Sequence, residues 1–348
     1  MPLHPLTPTA SAWDAFVTAH PRAHILQLSA WGALKSAFGW RAERVALAEA
    51  DGRIVAGAQV LFRRLPLRLG TMAYIPAGPL VNWEDAAQVR ALLAALDGVA
   101  RRHRAALLKI EPGLGLAGVD FAAHGFRPSP QTVQPPRTVV LDLRDDEDAI
   151  LARMNQGTRR NIRKSARFEV QIREGTRADV ARFCAMIAET GARAGFGVHT
   201  CAYYERAYAL FVPSGRAALL MGSYAGEDLA GVMVFALGDW AWYFYGASSS
   251  RERQRMASYG VQWAGIRWAK ARGAKWYDMY GVPDAEPEVL EAQFRERSDG
   301  LWGVYRFKRG WGGQVMRSVG AWDRPYNRAL YAAYTWALRA TSRKGGAR

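Results

Sequence analysis

The chain has 348 residues, 50% of them hydrophobic and 22% charged, which is enough for a core and excludes a chain disordered throughout. At about 100 to 200 residues per domain, this length predicts two domains. Lysine and arginine total 47 against 31 acidic residues, a formal +16 that points to a polyanionic partner such as nucleic acid, phosphates or a membrane surface.

From Met1 to Val17 there are prolines and no basic stretch ahead of an apolar core, and nowhere does the chain run for the roughly 18 apolar residues of a membrane-spanning helix. The expectation is a cytoplasmic protein, peripheral at most at the cytoplasmic face of the membrane. Cys184 and Cys201 are too few for a disulfide framework and lack zinc-site spacing, so a reducing compartment is expected. After an amphipathic stretch that reaches Lys35, Val45 to Phe62 reads as a hairpin turning at Asp51-Gly52, with Ile54, Ala56, Ala58 and Val60 at alternating positions. A strand (Met72 to Ile75), an amphipathic helix (Asp85 to His103) and another strand (Ala106 to Glu111) follow.

A Pro-rich stretch from Pro135-Pro136 to Arg144, with the strand Thr138 to Leu143, marks the boundary between domains 1–144 and 145–348. Asp145-Asp146-Glu147-Asp148 then opens a helix, where acids complement the positive end of the helix dipole. Along residues 150–167, Arg153, Arg160, Arg163, Lys164 and Arg167 share one broad face, and Ile150, Met154 and Ile162 the other. Gly157 weakens that helix by about 1 kcal/mol relative to Ala and is a place for a kink.

Leu219 to Leu237 repeats the first hairpin: laying Gly226 on Gly52 also lays Ala230 on Ala56 and Gly231 on Gly57. A strand (Trp240 to Tyr245), a helix (Ala257 to Arg272) and a strand (Lys275 to Tyr280) follow in the same order as before. Each half is therefore predicted to be the same α+β unit, a mixed sheet flanked by helices, in tandem.

No GxSxG elbow, HExxH helix, Walker A loop or GxGxxG fingerprint occurs in a usable context, and no cluster suggests a metal. The tandem unit resembles the GNAT acyltransferase fold, whose acetyl-CoA pyrophosphate sits on a glycine-rich turn opening a helix. Here that turn, Arg253 to Gly260, lacks the glycines, so a CoA donor is disfavoured and no cofactor is expected. His199 and Cys201 admit an imidazole-activated thiol, both side chains sharing one face of an extended segment. Asp278 and Glu111 end equivalent strands; each is a candidate to hold or deprotonate an amine, or else a carboxylate paired with arginine.

Several segments together resemble the Fem family of aminoacyl-tRNA-dependent transferases: Leu28 to Trp40, Ile75-Pro76-Ala77-Gly78-Pro79, Thr158 to Ala166, Tyr243 to Ser248, Tyr277 to Gly281 and Phe307-Lys308. They recur in the family's order along nearly the whole chain. The resemblance implies two GNAT-like domains, the first binding the acceptor and the second facing aminoacyl-tRNA; no long heptad-bearing insertion interrupts the second half, so the helical coiled-coil arm of some members is not expected. It implies transfer of an amino acid from aminoacyl-tRNA to the stem-peptide amine of a peptidoglycan precursor, UDP-MurNAc-pentapeptide or lipid II.

In the family pattern Lys35 meets the acceptor diphosphate, and an arginine four residues before a tyrosine completes that site. His199 stands where the arginine would be, with Tyr203 matching. Tyr245 joins them through its hydroxyl. The same pattern puts Phe307 and Lys308 near the aminoacyl end, where an aromatic ring stacks on a base for about 1 to 3 kcal/mol and an ammonium stabilises the tetrahedral intermediate. Arg153, Arg160, Arg163, Lys164, Arg167 and Arg309 are the expected tRNA contacts, on a domain (145–348) that carries 31 basic and 21 acidic residues. The alternatives are a GNAT-like N-acyltransferase acting on another amine and a non-catalytic RNA-binding protein.

Overall fold

The computed structural model describes residues 3–65, 69–195 and 197–345. They form two compact units, one of residues 1–136 with 317–348 and one of residues 137–316.

The first unit opens with β1 (His4–Leu6), α1 (Ala10–Ala19) and α2 (Ser29–Ser36), then the hairpin β2 (Arg41–Ala48) and β3 (Ile54–Arg64). Gly52 turns this hairpin with φ +86°, in the left-handed region that glycine enters without a steric penalty. After β4 (Thr71–Pro76) comes α3 (Ala86–Arg102), whose Val89, Leu92, Leu93, Leu96 and Val99 recur at helical spacing and are buried. Asp85 caps α3 by accepting from the Ala87 and Gln88 amides, each at 3.0 Å. Then follow β5 (Ala105–Glu111), parallel to β4, and the short β6 (Arg127–Pro128).

The second unit runs β7 (Arg137–Asp142), α4 (Glu147–Arg153), α5 (Gln156–Arg167), β8 (Gln171–Glu174), α6 (Val180–Ala194) and α7 (Cys201–Phe211). It continues through β9 (Ala217–Tyr224), β10 (Glu227–Leu237), β11 (Trp240–Ser248), α8 (Ala257–Ala271), β12 (Trp276–Asp278), α9 (Pro287–Gln293), α10 (Trp302–Lys308) and β13 (Gln314–Arg317). The chain then returns to the first unit with β14 (Trp322–Pro325) and α11 (Arg328–Gly345).

The two sheets have the orders β1-β2-β3-β4-β5-β14-β6 and β13-β7-β12-β11-β10-β9-β8. In each, an antiparallel meander leads to a parallel pair joined by a helix, β4 to β5 through α3 and β11 to β12 through α8. The tandem α+β duplication read from the sequence is therefore present, and no long helical pair interrupts it: the longest described helix has 18 residues.

Two expectations are corrected. Unit boundaries fall at 136/137 and 316/317 instead of 144/145, because β7 pairs antiparallel with β12 while β14 fills the matching place beside β5. The basic helix expected over 150–167 is two helices. Met154 is extended at ψ 150° and Asn155 caps α5 by accepting from the Thr158 amide at 2.7 Å, so the break comes before Gly157.

Candidate active site

In the second unit Lys308 ends α10 as the third residue of the buried ridge Trp302, Tyr305 and Lys308, spaced three apart. Its Nζ donates to the carbonyls of Tyr280, at 2.9 Å, and Gly281, at 2.7 Å. Burial pulls its pKa down to about 7, against the opposing pull of Asp278. The same ammonium lies 5.8 Å from the centroid of the Tyr243 ring. Asp278, at the end of β12, accepts from Thr138 Oγ1 on the neighbouring β7 and from the Tyr280 amide at 2.6 Å. Burial raises its pKa, and these hydrogen bonds and Lys308 oppose the rise.

Tyr280 is thus held at both ends, its N–H by Asp278 and its C=O by Lys308, with φ at +60°. A tyrosine in this left-handed region is strained, and such positions cluster at functional sites. The sequence had Tyr280 as the last residue of an expected strand and gave it no role of its own, whereas the strand ends at Asp278.

A second cluster surrounds the expected His199 and Tyr203. The extended segment expected to carry His199 and Cys201 on one face is not formed: Cys201 opens α7, and Tyr203 sits in its first turn. The His199 ring stacks on Tyr203 with centroids 3.8 Å apart, and its amide donates to Tyr204 Oη at 3.2 Å. Tyr245 Oη donates to Tyr203 Oη at 3.4 Å, and burial raises the pKa of both. Phe244 joins the clusters, touching Tyr280 with centroids 4.9 Å apart and Tyr245 with centroids 6.1 Å apart. Cys201 is no nucleophile here, because it forms a disulfide with Cys184 between α7 and α6. The pairing also departs from the expectation, drawn from so few cysteines, that both stay reduced.

Phe307 is half-buried and packs edge-on against Tyr259, at 5.1 Å, and Trp311, at 5.6 Å, so one side of its ring is already occupied. Arg309 is engaged too, with Nε 3.0 Å from Glu291 Oε1 and its guanidinium 3.9 Å from the Phe294 ring centroid. Arg153 lies on α4, paired with Asp145 and donating to the Asp142 carbonyl at 2.7 Å, and so leaves the expected stripe. Arg160, Arg163 and Arg167 are exposed along α5, with Lys164 over the Phe168 ring at 5.2 Å. The start of α5 abuts the Lys308 turn, since the Asn155 amide donates to the Gly310 carbonyl at 3.0 Å.

Lys35 and Glu111 belong to the first unit. Lys35 is half-buried, 5.2 Å from the Trp31 ring centroid, and burial together with the Arg63 charge lowers its pKa to about 8. Glu111 accepts from Tyr74 Oη and from the amides of Val133 and Gln134, and burial raises its pKa against those bonds. Neither Glu111 nor Asp278 forms an arginine pair among the described residues; hydroxyl and backbone amide donors hold both instead. Gln134 Nε2 reaches Tyr74 Oη at 3.1 Å, which gives a polar cluster the sequence did not reveal.

The turn Glu252 to Met256, where a CoA pyrophosphate would sit in a GNAT enzyme, has Glu252 and Met256 at positive φ with no glycine. Arg255 fills it, donating to Glu252 at 2.7 Å and to the Phe168 carbonyl at 2.9 Å. Among the described residues no group of His, Cys, Asp and Glu is arranged for a metal.

Paired α+β units of this construction define a class, the tandem acyltransferase-fold transferases, and a tandem GNAT protein from the clavulanic acid biosynthesis pathway superposes with a TM-score of 0.53 at 14% identity, over 93% of this chain and 98% of that one. Residues 9–125, 113–225 and 223–339 match the FemAB family model, and the chain belongs to the FemAB family. The crystal structure of FemX is similar at a TM-score of 0.85 and 22% identity, covering 95% of this chain and 99% of that one. A lipid II:glycine glycyltransferase of Staphylococcus saprophyticus is 24% identical, with 93% of each chain covered. That alignment spans 396 positions, so the relative carries insertions this shorter chain lacks.

Proposed function

We propose that the protein moves an amino acid from aminoacyl-tRNA onto the stem-peptide amine of a peptidoglycan precursor, UDP-MurNAc-pentapeptide or lipid II, working as a peripheral protein at the cytoplasmic face of the membrane. Membership of the FemAB family and the likeness to a lipid II:glycine glycyltransferase support the reaction class. No described helix is long and apolar enough to cross a membrane.

The observation that carries the reading is the Lys308 environment. Two carbonyls occupy two of its N–H groups, leaving the third free to aim at a reacting oxygen. In the proposed step the neutral acceptor amine attacks the ester carbonyl, and the developing oxyanion takes that third hydrogen bond in a buried setting. The C–N bond forms, the ester C–O bond breaks, and the terminal ribose hydroxyl of the tRNA leaves with a proton from the amine. Asp278 orders the Tyr280 turn beneath Lys308, Phe307 offers its open face to the terminal adenine, and Arg160, Arg163, Lys164 and Arg167 on α5 face the tRNA phosphates. Lys35 and Glu111 of the first unit, and separately His199, Tyr203 and Tyr245 of the second, are each proposed as acceptor-binding residues within their own unit. Lys35 beside Arg63 is a pair of mutually repelling cations, which a diphosphate would relieve.

The test is transfer of a labelled amino acid from charged tRNA to the soluble precursor or to lipid II. Label on either acceptor that ribonuclease abolishes is the expected result. Transfer that survives ribonuclease, or label on neither acceptor, overturns the proposal.

A further inference from the structure

Helix α11 packs on the first unit through Tyr331 and Tyr334, both buried. Tyr331 Oη donates to Asp323 at 3.1 Å and Tyr334 Oη to Gln131 Oε1 at 3.2 Å. These contacts fix how the rest of the helix faces outward. Between α11 and residues 127–130 lies an open cavity of about 620 Å3, with Pro128, Pro325 and Ala332 among its walls. Three arginines, Arg127, Arg328 and Arg339, line it without any carboxylate. None of the three forms an ion pair with a described carboxylate, and Arg127 instead lies over the Tyr331 ring at 5.3 Å.

Trp336 sits four residues after Ala332 and three before Arg339, hence on the rim of this groove, and is 70% exposed. An indole standing in water beside prolines, alanine and unpaired guanidinium groups is the composition of an interfacial helix: the ring seeks the headgroup layer while the arginines meet lipid phosphates. The charged residues lining the groove, Arg127, Arg328 and Arg339, are all of one sign.

We propose that this groove and Trp336 form a docking surface for anionic phospholipid, seating the first unit on a bilayer. The inference deepens the proposed function, in which one form of the acceptor is lipid-linked, by assigning the surface that meets the membrane. A nucleic-acid partner is less well matched, because the one aromatic wall of the cavity, Tyr331, is buried with Arg127 over its ring, and the other uncharged walls are proline, alanine, serine and threonine, so the cavity offers bases no open face for stacking.

Cosedimentation with vesicles of phosphatidylcholine alone, or with about 30 mol% phosphatidylglycerol added, tests it. The wild-type chain is expected to bind only the anionic vesicles, and less as salt rises. Trp336→Ser is expected to weaken retention, and Arg328→Glu with Arg339→Glu to weaken it further, by about fivefold or more per arginine. Their unfolding midpoints should stay unchanged because all three side chains are exposed. Equal retention on neutral vesicles, or variants retained like wild type, overturns the proposal. So do variants that lose bulk tRNA binding while keeping vesicle binding, which would make the groove an RNA surface. Sedimentation needs neither donor nor acceptor, so its outcome is readable whether or not the transfer assay succeeds.

Discussion

Lys308 is the residue on which the proposed chemistry turns, and its charge is a matter of pH. With a pKa near 7 it is cationic below that pH and neutral above. The acceptor amine, with an ordinary pKa of about 10.4, gains neutral form about tenfold per pH unit over the same range. If the cation binds the oxyanion, log kcat/KM rises with a slope near one up to about 7 and then levels. If neutral Lys308 were instead the base, the slope would be near two below 7 and one above. Lys308→Arg, which keeps its charge, should lose the levelling, and Lys308→Ala should lower kcat by roughly a hundredfold to a thousandfold. Gly246 supports the same spot: a Cβ there would overlap the Tyr243 hydroxyl, so Gly246→Ala should displace that ring and cost about 1 to 3 kcal/mol in urea unfolding. The sequence offered Lys308 through the family pattern and Asp278 at the end of a strand. It did not show Tyr280, because a positive φ on tyrosine arises only once both of its neighbours are fixed.

Among the elements, β14 does most to define the first unit. It lies antiparallel to β5 with Asp323 opposite Lys109, and the two side chains meet at 2.7 Å, both fully buried. Lys109 Nζ also donates to the Gln131 carbonyl at 2.9 Å and to Ser129 Oγ. Asp323→Ala leaves that ammonium without its counter-charge and should cost about 3 to 5 kcal/mol, read as a fall in the denaturant midpoint. Changing the pair together, Lys109→Met with Asp323→Leu, should recover much of the loss. Helix α5 is the element whose surface can be tested directly: Arg160→Glu and Arg163→Glu should weaken tRNA binding and flatten its salt dependence by about one unit of slope each. Both hairpins, α3 and α8 were legible because their periods of 2 and 3.6 extend over many residues. A four-residue strand reading Trp-Asp-Arg-Pro carries no such period, and nothing local announces that it will pair some 200 positions back. The break at Met154-Asn155 did have a local signal, an asparagine ahead of a new helix, which the longer basic periodicity concealed.

At the scale of the molecule the charge moves. The first unit holds 21 basic and 10 acidic residues, +11, and the second 26 and 21, +5. The concentration expected toward the C-terminal half is therefore reversed, because the basic tail after Arg317 folds with the N-terminal unit. α5 keeps its own local stripe, but most of the excess now lies with the unit carrying Lys35 and α11. The sign and size of the total were open to arithmetic, whereas its distribution depended on one unforeseen return of the chain. That return also sets an order of events during synthesis. Ile110 is made about 210 residues before its partner Trp322, so the first sheet waits, with β5 as an unfinished edge, until the whole second unit has emerged. The second unit, continuous from 137 to 316, can close as soon as it is made. The half of the molecule translated first is thus the half that folds last, and no single cut in the chain separates the two units intact.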